Sequence, residues 1–467
     1  MNRSQILISI FVPRSEMNIN NENEPKYNKI NDNNMKKINL ILTAMLAIAF
    51  CFTACSSSDN EPNVPNVPEI ASGTTGSLTW KLTEDGVLTI SGNGEMPNYA
   101  NTDYVPWYSH RNSVEKVVIT SGVTSIGNYA FLGCKNLASI IIPNSVTSIG
   151  IWAFNSCSGL TSIILPNSVK SIESGAFWDC INLTNITIPN GVTNIGVDAF
   201  LNCSKLKNIN IPNSLTNIGD WAFSGCSGLV SIEVSTDNQN YASENGVLFN
   251  KAKTILILYP ESKQGSYTIP NGVVSIGKEA FIKCDNLTSV TIPNSLTSFG
   301  SITFINCSSL TSIEVSTGNP NYSSENGVLF NKAKDILIKY PLGKQGSNYT
   351  IPNSVTSIAY RAFCYHNGLT SITIPNDVVN IGDYVFSGCA GLINIIIPSN
   401  VTNIGHGAFT DCNGLTQIRV EATTPPTIYS TSFYNVNRSI PVYVPAASLA
   451  AYQSAEIWKT FTNITGF

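Results

Sequence analysis

Hydrophobic and polar positions along most of the chain repeat with a period of 23 residues. The unit from Leu160 to Asn182 has apolar side chains at its positions 1, 4, 6, 10, 13, 17, 18 and 21. Positions 4 and 6 alternate with polar residues, which is typical of a strand with one buried face. The proline that follows ends this strand because it has no N–H for a sheet ladder. A period of this length predicts a solenoid, in which each repeat forms one coil stacked on the last.

The second half of each unit reads Val-x-x-Ile-Gly and then x-x-Ala-Phe-x-x-Cys. The first motif predicts a short second strand that ends in a tight turn at the glycine. The second motif spaces three apolar groups roughly as a helix does and predicts a single helical or 3-10 turn. Each unit thus contributes one phenylalanine and, three residues later, one cysteine; we call these the ladder residues. The pairs are Phe131/Cys134, Phe154/Cys157, Phe177/Cys180, Phe200/Cys203, Phe223/Cys226, Phe281/Cys284, Phe304/Cys307, Phe386/Cys389 and Phe409/Cys412. Phe363 is followed by His366 in place of a cysteine.

This pattern resembles the BspA-like, or Treponema-type, family of bacterial leucine-rich repeats, and it recurs ten times over roughly residues 114–418. The resemblance implies a leucine-rich repeat solenoid, with a parallel β-sheet, short helical or 3-10 turns and β-rich caps at both ends. It also implies contact with host matrix proteins or other cells. A solenoid is a scaffold whose ligand is set by its surface residues, so the resemblance does not identify the ligand.

Two stretches, near 233–270 and 314–352, break the period and are near copies of each other. The spacing between ladder phenylalanines rises there from 23 to 58 and 59 residues. Val247–Phe249 and Thr254–Tyr259 predict two strands joined by Asn250–Lys253, a hairpin that projects from the solenoid and could bind a ligand. The apolar content of the stretch also fits a variant coil packed into the solenoid and inherited by duplication.

The start of the chain has the features of an exported lipoprotein. Residues 1–34 resemble a misassigned upstream segment, and residues 35–54 contain the basic and apolar regions of a signal peptide. Phe52-Thr-Ala-Cys55 resembles a bacterial lipobox with Cys55 as the lipidated residue. The Ser-rich acidic sequence that follows resembles the tether of surface-exported Bacteroidetes-type lipoproteins. We therefore expect a lipid anchor in the outer membrane, exposed on the cell surface; a plain transmembrane anchor or secretory signal is the alternative.

Three further segments complete the predicted organisation. Residues 55–72 form the lipid anchor and a proline-containing linker. Residues 73–113 and 419–467 are predicted to cap the solenoid at 114–418. Caps are needed because the first and last coils would otherwise expose a strand edge and an apolar end.

The composition and the motifs of the sequence argue against most classes of function. Charged residues make up 12% of the chain, the net charge is −4, and no basic stripe indicates nucleic-acid binding. The three histidines, His110, His366 and His406, lie in no zinc or metalloprotease motif. A P-loop and a nucleophile elbow are also missing from the sequence. We expect no enzyme activity, no cofactor and no metal.

The ladder cysteines are expected to be buried free thiols. Disulfides are common in exported proteins, and stacked coils bring equivalent cysteines close together. Their Cβ vectors, however, run parallel and do not converge as a disulfide requires. A free cysteine packs as a small hydrophobic residue.

The outward positions of the first strand form the candidate binding face, which is predicted to be continuous. Hydroxyl and amide groups dominate it; they suit a protein or glycan ligand, although Ser and Thr also simply suit strand surfaces. The candidate residues are Ser162, Ile164, Asn185, Thr187, Asn208, Asn210, Ser289, Thr291, Ser371 and Thr373.

Three functions stay open from the sequence. The first is a lipid-anchored surface protein that binds a host or bacterial surface protein, such as a matrix protein. The second is a glycan-capture lipoprotein of a nutrient-uptake system, which an exposed Trp/Tyr platform would favour. The third is a structural spacer of the envelope without a specific ligand.

Overall fold

A computed structural model describes residues 67–300 and 302–467 of the chain. These residues form a parallel β-solenoid of about 15 coils with very little helix. The predicted upstream segment, the signal peptide, Cys55 and the first part of the linker lie outside the described residues.

Each regular coil contributes one first strand to the candidate binding face. Ile163 is buried in the core, whereas Ser162 and Ile164 on either side of it face solvent. Where consecutive first strands pair, they run parallel and in register, so that Asn185 pairs with Ser162 and Thr187 with Ile164. Ser139–Ile141 and Ser162–Ile164 lie side by side without pairing, and so do Asn185–Thr187 and Asn208–Ile211. The first strands are Lys116–Ile119, Ser139–Ile141, Ser162–Ile164, Asn185–Thr187, Asn208–Ile211, Ser231–Val234, Gly265–Thr268, Leu287–Ile292, Ser312–Val315, Asn348–Thr350, Ser371–Thr373, Asn394–Ile397, Gln417–Val420, Val442–Val444 and Ile464–Gly466.

The Val-x-x-Ile-Gly motif forms a second, shorter strand on another side of the coil. Its isoleucine is buried, as at Ile172, and it pairs in parallel with Ile149 and Ile195 of the neighbouring coils. The second strands are Gly94–Glu95, Val123–Ile126, Ser148–Ile149, Ser171–Ile172, Asn194–Ile195, Asn217–Ile218, Ile255–Leu258, Ser275–Ile276, Ser298–Phe299, Ile336–Lys339, Ser357–Ile358, Asn380–Ile381, Asn403–Ile404 and Thr427–Ile428.

The Ala-Phe-x-x-Cys segments close each coil on a third side, the turn side, and they form hydrogen-bonded turns. The expected short turn is therefore present, with hydrogen bonds from residue i to residue i−3 as in a 3-10 turn, although it does not continue into a helix. Their N–H groups alternate in direction: Trp178 N donates to Gly175 O of its own turn (3.0 Å), and Phe177 N donates to Ala199 O of the next coil (2.8 Å). A helix would align all its N–H groups along its axis and lose the bonds between coils.

A stack of phenylalanine rings forms the centre of the core. Phe177 lies between Phe154 and Phe200, with ring centroids 5.3 Å apart and ring planes within 5°. Cys180 Sγ donates a hydrogen bond to Phe154 O (3.1 Å). The ten cysteines of the described residues are free and buried, in agreement with the sequence-based expectation. Burial raises the pKa of the Cys134 thiol to about 12, so it stays protonated.

The N-terminal end adds strands to the first-strand sheet. Glu69–Thr75 pairs antiparallel with Leu78–Thr83, which pairs with Val87–Gly92. The last of these pairs in parallel with Lys116–Ile119. The predicted linker is too long because residues 69–72 already pair with a strand, which composition does not reveal. Two 3-10 helices, Thr102–Tyr104 and Tyr108–Ser113, follow this meander.

The C-terminal end continues the coils beyond the predicted boundary at residue 418. Gln417–Val420 pairs with Val442–Val444, and Phe433 stacks on Phe409 with a centroid separation of 4.9 Å. An α-helix, Leu449–Ser454, and two 3-10 helices, Ala446–Ser448 and Trp458–Thr460, complete this end. None of the helices among the described residues is long and apolar enough to span a membrane.

Each duplicated stretch forms a three-stranded antiparallel unit built into the solenoid. In the first, Tyr241–Glu244 pairs with Val247–Asn250, which pairs with Ile255–Leu258. The third strand then joins the second-strand sheet in parallel with Ser275–Ile276. The corresponding strands of the second stretch are Tyr322–Glu325, Val328–Asn331 and Ile336–Lys339.

The expectation of a projecting hairpin is therefore wrong, and the variant-coil interpretation is confirmed. Val247, Leu248 and Phe249 are fully buried, so the hairpin is part of the core. Three consecutive buried side chains need apolar contacts on both faces of a strand, which only a strand inside the solenoid can have.

Candidate functional site

The first strands keep all ten candidate residues accessible on one face. The exposed residues are Ser162, Ile164, Asn185, Thr187, Asn208, Asn210 and Thr373, and the half-buried ones are Ser289, Thr291 and Ser371.

The expected continuity of this face is wrong, because each variant coil interrupts it with a hairpin turn. Ile232 N donates to Gly246 O (2.9 Å), and Ile313 N donates to Gly327 O of the second copy (2.9 Å). Gly246 has a φ of 76°, and a Cβ there would lie 3.1 Å from Ser231 Cα, so the turn packs tightly against the strand. Six candidate residues lie before the first variant coil, on the strands from Lys116–Ile119 to Ser231–Val234, which we call the first block. The Ser289–Thr291 pair lies between the two variant coils, and the Ser371–Thr373 pair lies after the second.

The first block contains a shallow concavity of about 430 Å³. Thr187, Asn210 and Glu233 come from equivalent positions of three consecutive strands, and Asn167 and Asn190 follow the strand-ending prolines. Glu233 Oε1 accepts a hydrogen bond from the Ser231 hydroxyl (2.5 Å). The concavity offers hydroxyl, amide and carboxylate groups on a rigid backbone and is too open to enclose a small molecule.

Two exposed isoleucines lie beside this concavity. Ile164 is 74% exposed and Ile141, at the equivalent position of the preceding coil, is 41% exposed. Ser139 and Ser162 flank them at the start of the same strands. These two apolar side chains therefore lie within a row that is otherwise mostly polar; protein interfaces in general combine an apolar centre with a polar rim.

The aromatic residues near this block do not form a platform on the strand face. Tyr129, Trp152 and Trp178 lie half-buried on the turn side, where they pack edge to face with centroids 5.5 and 5.8 Å apart. Trp152 also covers Gly175, at which a Cβ would fall 2.1 Å from Trp152 Cδ1. These rings pack against one another and against the coil, so this cluster does not support the glycan hypothesis.

Two cavities open on the turn side, one beside each variant coil. At the first variant coil, Leu256 pairs with Ile276 of the next coil, and Tyr259 stacks on Phe281 with ring centroids 5.2 Å apart. Ile276 and Phe281 are five positions apart, but Leu256 and Tyr259 only three. The variant coil thus lacks two residues of the turn. The gaps have volumes of about 220 Å³ at the first copy and 310 Å³ at the second.

Two carboxylates replace the missing backbone acceptors at the first gap. Trp221 N donates to Glu279 Oε2 (2.7 Å), and Gly225 N donates to Glu261 Oε1 (2.5 Å). In regular coils the equivalent N–H groups bond to carbonyls of the next coil, as Trp152 N does to Ser174 O. Burial raises the pKa of Glu261 to about 7, and it raises the pKa of Glu279 as well.

A buried asparagine fastens each variant coil to the coil before it, a role that sequence reasoning missed. Asn238 is fully buried; its Nδ2 donates to Pro212 O (2.6 Å) and Leu215 O (3.0 Å). Its Oδ1 accepts from Asn240 N and Tyr241 N, both at 2.8 Å. Asn319 repeats the arrangement. The signal was available as a duplicated Asn-x-Asn-Tyr in both stretches.

Comparison with protein families assigns the chain to a class. A family model described as the BspA type leucine rich repeat region matches residues 107–241, 258–339 and 343–451 in six copies. These segments span more than half of the chain, so the protein belongs to the BspA-type leucine-rich repeat family. A comparison with curated proteins finds no match.

Several solved bacterial structures are similar to this chain. A leucine-rich repeat protein from Eubacterium ventriosum is 31% identical, with 73% of this chain and 95% of that chain covered and a TM-score of 0.57. A leucine rich cell surface protein from Faecalibacterium prausnitzii is 23% identical, with 88% and 100% covered and a TM-score of 0.42. A leucine-rich repeat protein from Bacteroides ovatus is 27% identical, with 75% and 94% covered and a TM-score of 0.35.

The family points to a general kind of function. Leucine-rich repeat solenoids are generally non-enzymatic binding proteins, and no catalytic family is indicated for this chain. The family is associated with protein–protein interaction or adhesion in general.

Proposed function

We propose that this protein is a lipid-anchored surface protein that binds a partner protein, of the host matrix or of another cell, through the first block of its first-strand face. The observation that carries the proposal is the exposed Ile141–Ile164 pair beside a polar concavity. An exposed isoleucine on a rigid strand provides an apolar anchor that loses little conformational entropy on binding.

The surrounding side chains fit the polar rim of such an interface. Asn185, Thr187, Asn208 and Asn210 are exposed and uncharged, so they can hydrogen-bond to a partner's backbone or side chains without charge matching. Glu233 adds one negative charge at the edge of the concavity. Affinity would then come from a few apolar contacts and many weak polar ones.

Anchoring through Cys55 would hold this face outside the cell. Each buried CH₂ of an acyl chain contributes about 0.8 kcal/mol to membrane binding, so more than one chain gives stable attachment. The proposal rests here on the lipobox resemblance of the sequence, because Cys55 lies outside the described residues.

Binding of the purified chain to a panel of matrix proteins and to a glycan array tests the function. We expect Ile164→Arg, and separately Ser162, Asn185 and Asn208 all changed to Arg, to abolish binding to the captured protein. The matched control is Val197→Arg, because Val197 is an exposed apolar residue (43%) outside the strand face. The control should bind like the parent.

The outcomes separate the three hypotheses. Loss of binding in the strand-face variants alone supports the proposal. Binding to glycans that Ile164→Arg leaves unchanged would favour the glycan-capture alternative. If the intact chain binds neither proteins nor glycans, the spacer hypothesis replaces the proposal.

A further inference from the structure

The cavity beside the second variant coil has apolar walls and a volume of about 310 Å³. Phe299, Phe304, Leu329 and Ile338 line it together with the ring of Tyr360. A space of this size is at the lower end of the range of small-molecule sites in proteins.

Two cationic side chains, Lys339 and Arg361, also line this cavity. Lys339 is only 7% exposed, and its Nζ donates to a single acceptor, Arg361 O, at 3.1 Å. The Arg361 guanidinium lies 5.1 and 5.2 Å from the rings of Tyr360 and Tyr384, and its buried Nε has no hydrogen-bond partner among residues 67–300 and 302–467.

Within the same described residues, no carboxylate forms an ion pair with Lys339 or Arg361. Burying an ammonium without a counter-ion is costly, so such groups are normally paired. Burial lowers the pKa of Lys339 because its ammonium loses water, a penalty that a bound anion would relieve.

The first cavity shows that the fold itself does not require these cations. Leu258 occupies the position of Lys339 there, and Glu279 occupies that of Arg361. Both copies build the same strands and the same aromatic stack, with Tyr259 on Phe281 and Tyr340 on Phe363. The two cavities therefore differ in charge within one architecture.

We propose that the second cavity binds a small organic anion, a carboxylate attached to an apolar group. Lys339 and Arg361 would neutralise the carboxylate, with the ammonium as a point charge and the guanidinium as a planar donor. The walls at Phe299, Phe304 and Ile338 would bury the apolar group. The same chemistry occurs in a free aromatic carboxylate and in the C-terminal residue of a peptide that ends in an apolar side chain.

Isothermal titration calorimetry on the full chain tests this inference with matched pairs of probes. Phenylacetate is compared with phenylacetamide, and acetyl-Gly-Phe with its C-terminal amide. We expect at least one carboxylate to bind, and at least tenfold more tightly than the matched amide. Tight binding of the peptide acid alone identifies a peptide C-terminus as the ligand source.

Two variants locate the site. Lys339→Leu introduces the residue of the first copy, so we expect it to fold and to bind the carboxylate at least tenfold more weakly. Glu279→Gln in the first cavity is the control and should leave the affinity unchanged. Lys339→Leu should also raise the melting temperature of the ligand-free protein, because it removes a buried unpaired charge.

Two results would overturn the inference. One is equal binding, or no binding, of carboxylate and amide to the parent. The other is an unchanged carboxylate affinity in Lys339→Leu. Neither result depends on the strand face, so the protein-binding proposal would stand or fall independently.

Discussion

Each buried residue of the repeat stabilises the solenoid through its contacts with residues of the neighbouring coils. Phe177 is fully buried and contacts the rings above and below it, and Cys180 bonds through Sγ to the carbonyl of Phe154. Phe177 therefore connects three coils, and Cys180 connects two. At the first gap, Glu261 and Glu279 accept the hydrogen bonds that carbonyls of the next coil accept elsewhere. Unlike a carbonyl, a carboxyl group can gain a proton, so stability at this gap depends on pH.

We expect Phe177→Ala to lower the free energy of unfolding by about 3–5 kcal/mol, because it opens a cavity in the stack. Urea unfolding followed by circular dichroism measures the change. The control is Ile164→Ala, at a 74% exposed position, which should change stability by no more than about 0.5 kcal/mol. A loss below 1 kcal/mol in Phe177→Ala would show that the stack relaxes around the gap.

We expect Glu261 to make stability fall as the pH rises. Its pKa of about 7 in the fold lies above the ordinary 4.5, so the folded state keeps its proton while the unfolded state releases it. The stabilisation is complete below pH 4.5 and is lost as the pH rises through about 7, a change of roughly 3 kcal/mol at 1.4 kcal/mol per pKa unit.

Thermal unfolding of the parent and of Glu261→Leu between pH 4 and 8 checks this expectation. Leu342 holds the equivalent position in the second copy, so leucine fits the site. The stability difference between the two proteins should change across this range in favour of the variant at high pH. A difference independent of pH would mean that Glu261 titrates normally.

The variant coils are the elements that divide the solenoid. Each interrupts the first-strand face at a glycine turn and opens a gap on the turn side by lacking two residues. Their strands are apolar, but their position is set by hydrogen bonds from a buried asparagine to the coil before. Surface ion pairs such as Lys253–Glu244 (2.7 Å) add little to this.

We expect Asn238→Leu to destabilise the first variant coil by at least ~2 kcal/mol, because each buried polar group left unsatisfied costs about 1–3 kcal/mol. Urea unfolding measures the total, and limited proteolysis should find new cleavage within residues 235–255. Gln239→Ala, at the exposed neighbouring position, is the control. Unchanged stability in Asn238→Leu would mean that apolar packing alone holds the coil.

At the scale of the whole molecule, residues 67–300 and 302–467 contain three large hydrophobic clusters that meet at the variant coils, and a small fourth cluster of Ile282, Ile302 and Ile305. The first runs from Leu78 to Leu248, the second from Val247 to Leu329, and the third from Val328 to Ile464. Aromatic residues close the stack at each end: Trp107 stacks on Phe131, and Trp458 packs against Phe433.

We expect the full-length protein to fractionate with membranes and Cys55→Ala to be released, because the variant has no thiol to carry the lipid. Cys51→Ala is the control, since it keeps the proposed attachment residue. Membrane retention of Cys55→Ala would exclude the lipobox interpretation. Protease treatment of intact cells then tests surface display, and a chain protected until lysis would place it inside the outer membrane.

The sequence by itself determined the coil. Its period placed Ile163, Phe177 and Cys180 in the core and Ser162 and Ile164 outside, because strand alternation and stacking of equal repeats act within one unit and its neighbours. Repetition also made the family recognisable. The repeat pattern did not predict that Phe433 continues the phenylalanine stack, because the unit before Phe433 departs from the 23-residue period.

Only the tertiary structure decided what happens where the repeat breaks. Whether Val247–Asn250 projects or packs depends on the space beside the preceding coil, and the turn form of Ala-Phe-x-x-Cys depends on acceptors in the next coil. Lys339 and Arg361 line one cavity because the second variant coil lacks two residues of its turn, and this shortening opens the gap between them. These are contacts between segments far apart in the chain, and a local pattern of hydrophobic and polar positions carries no information about them.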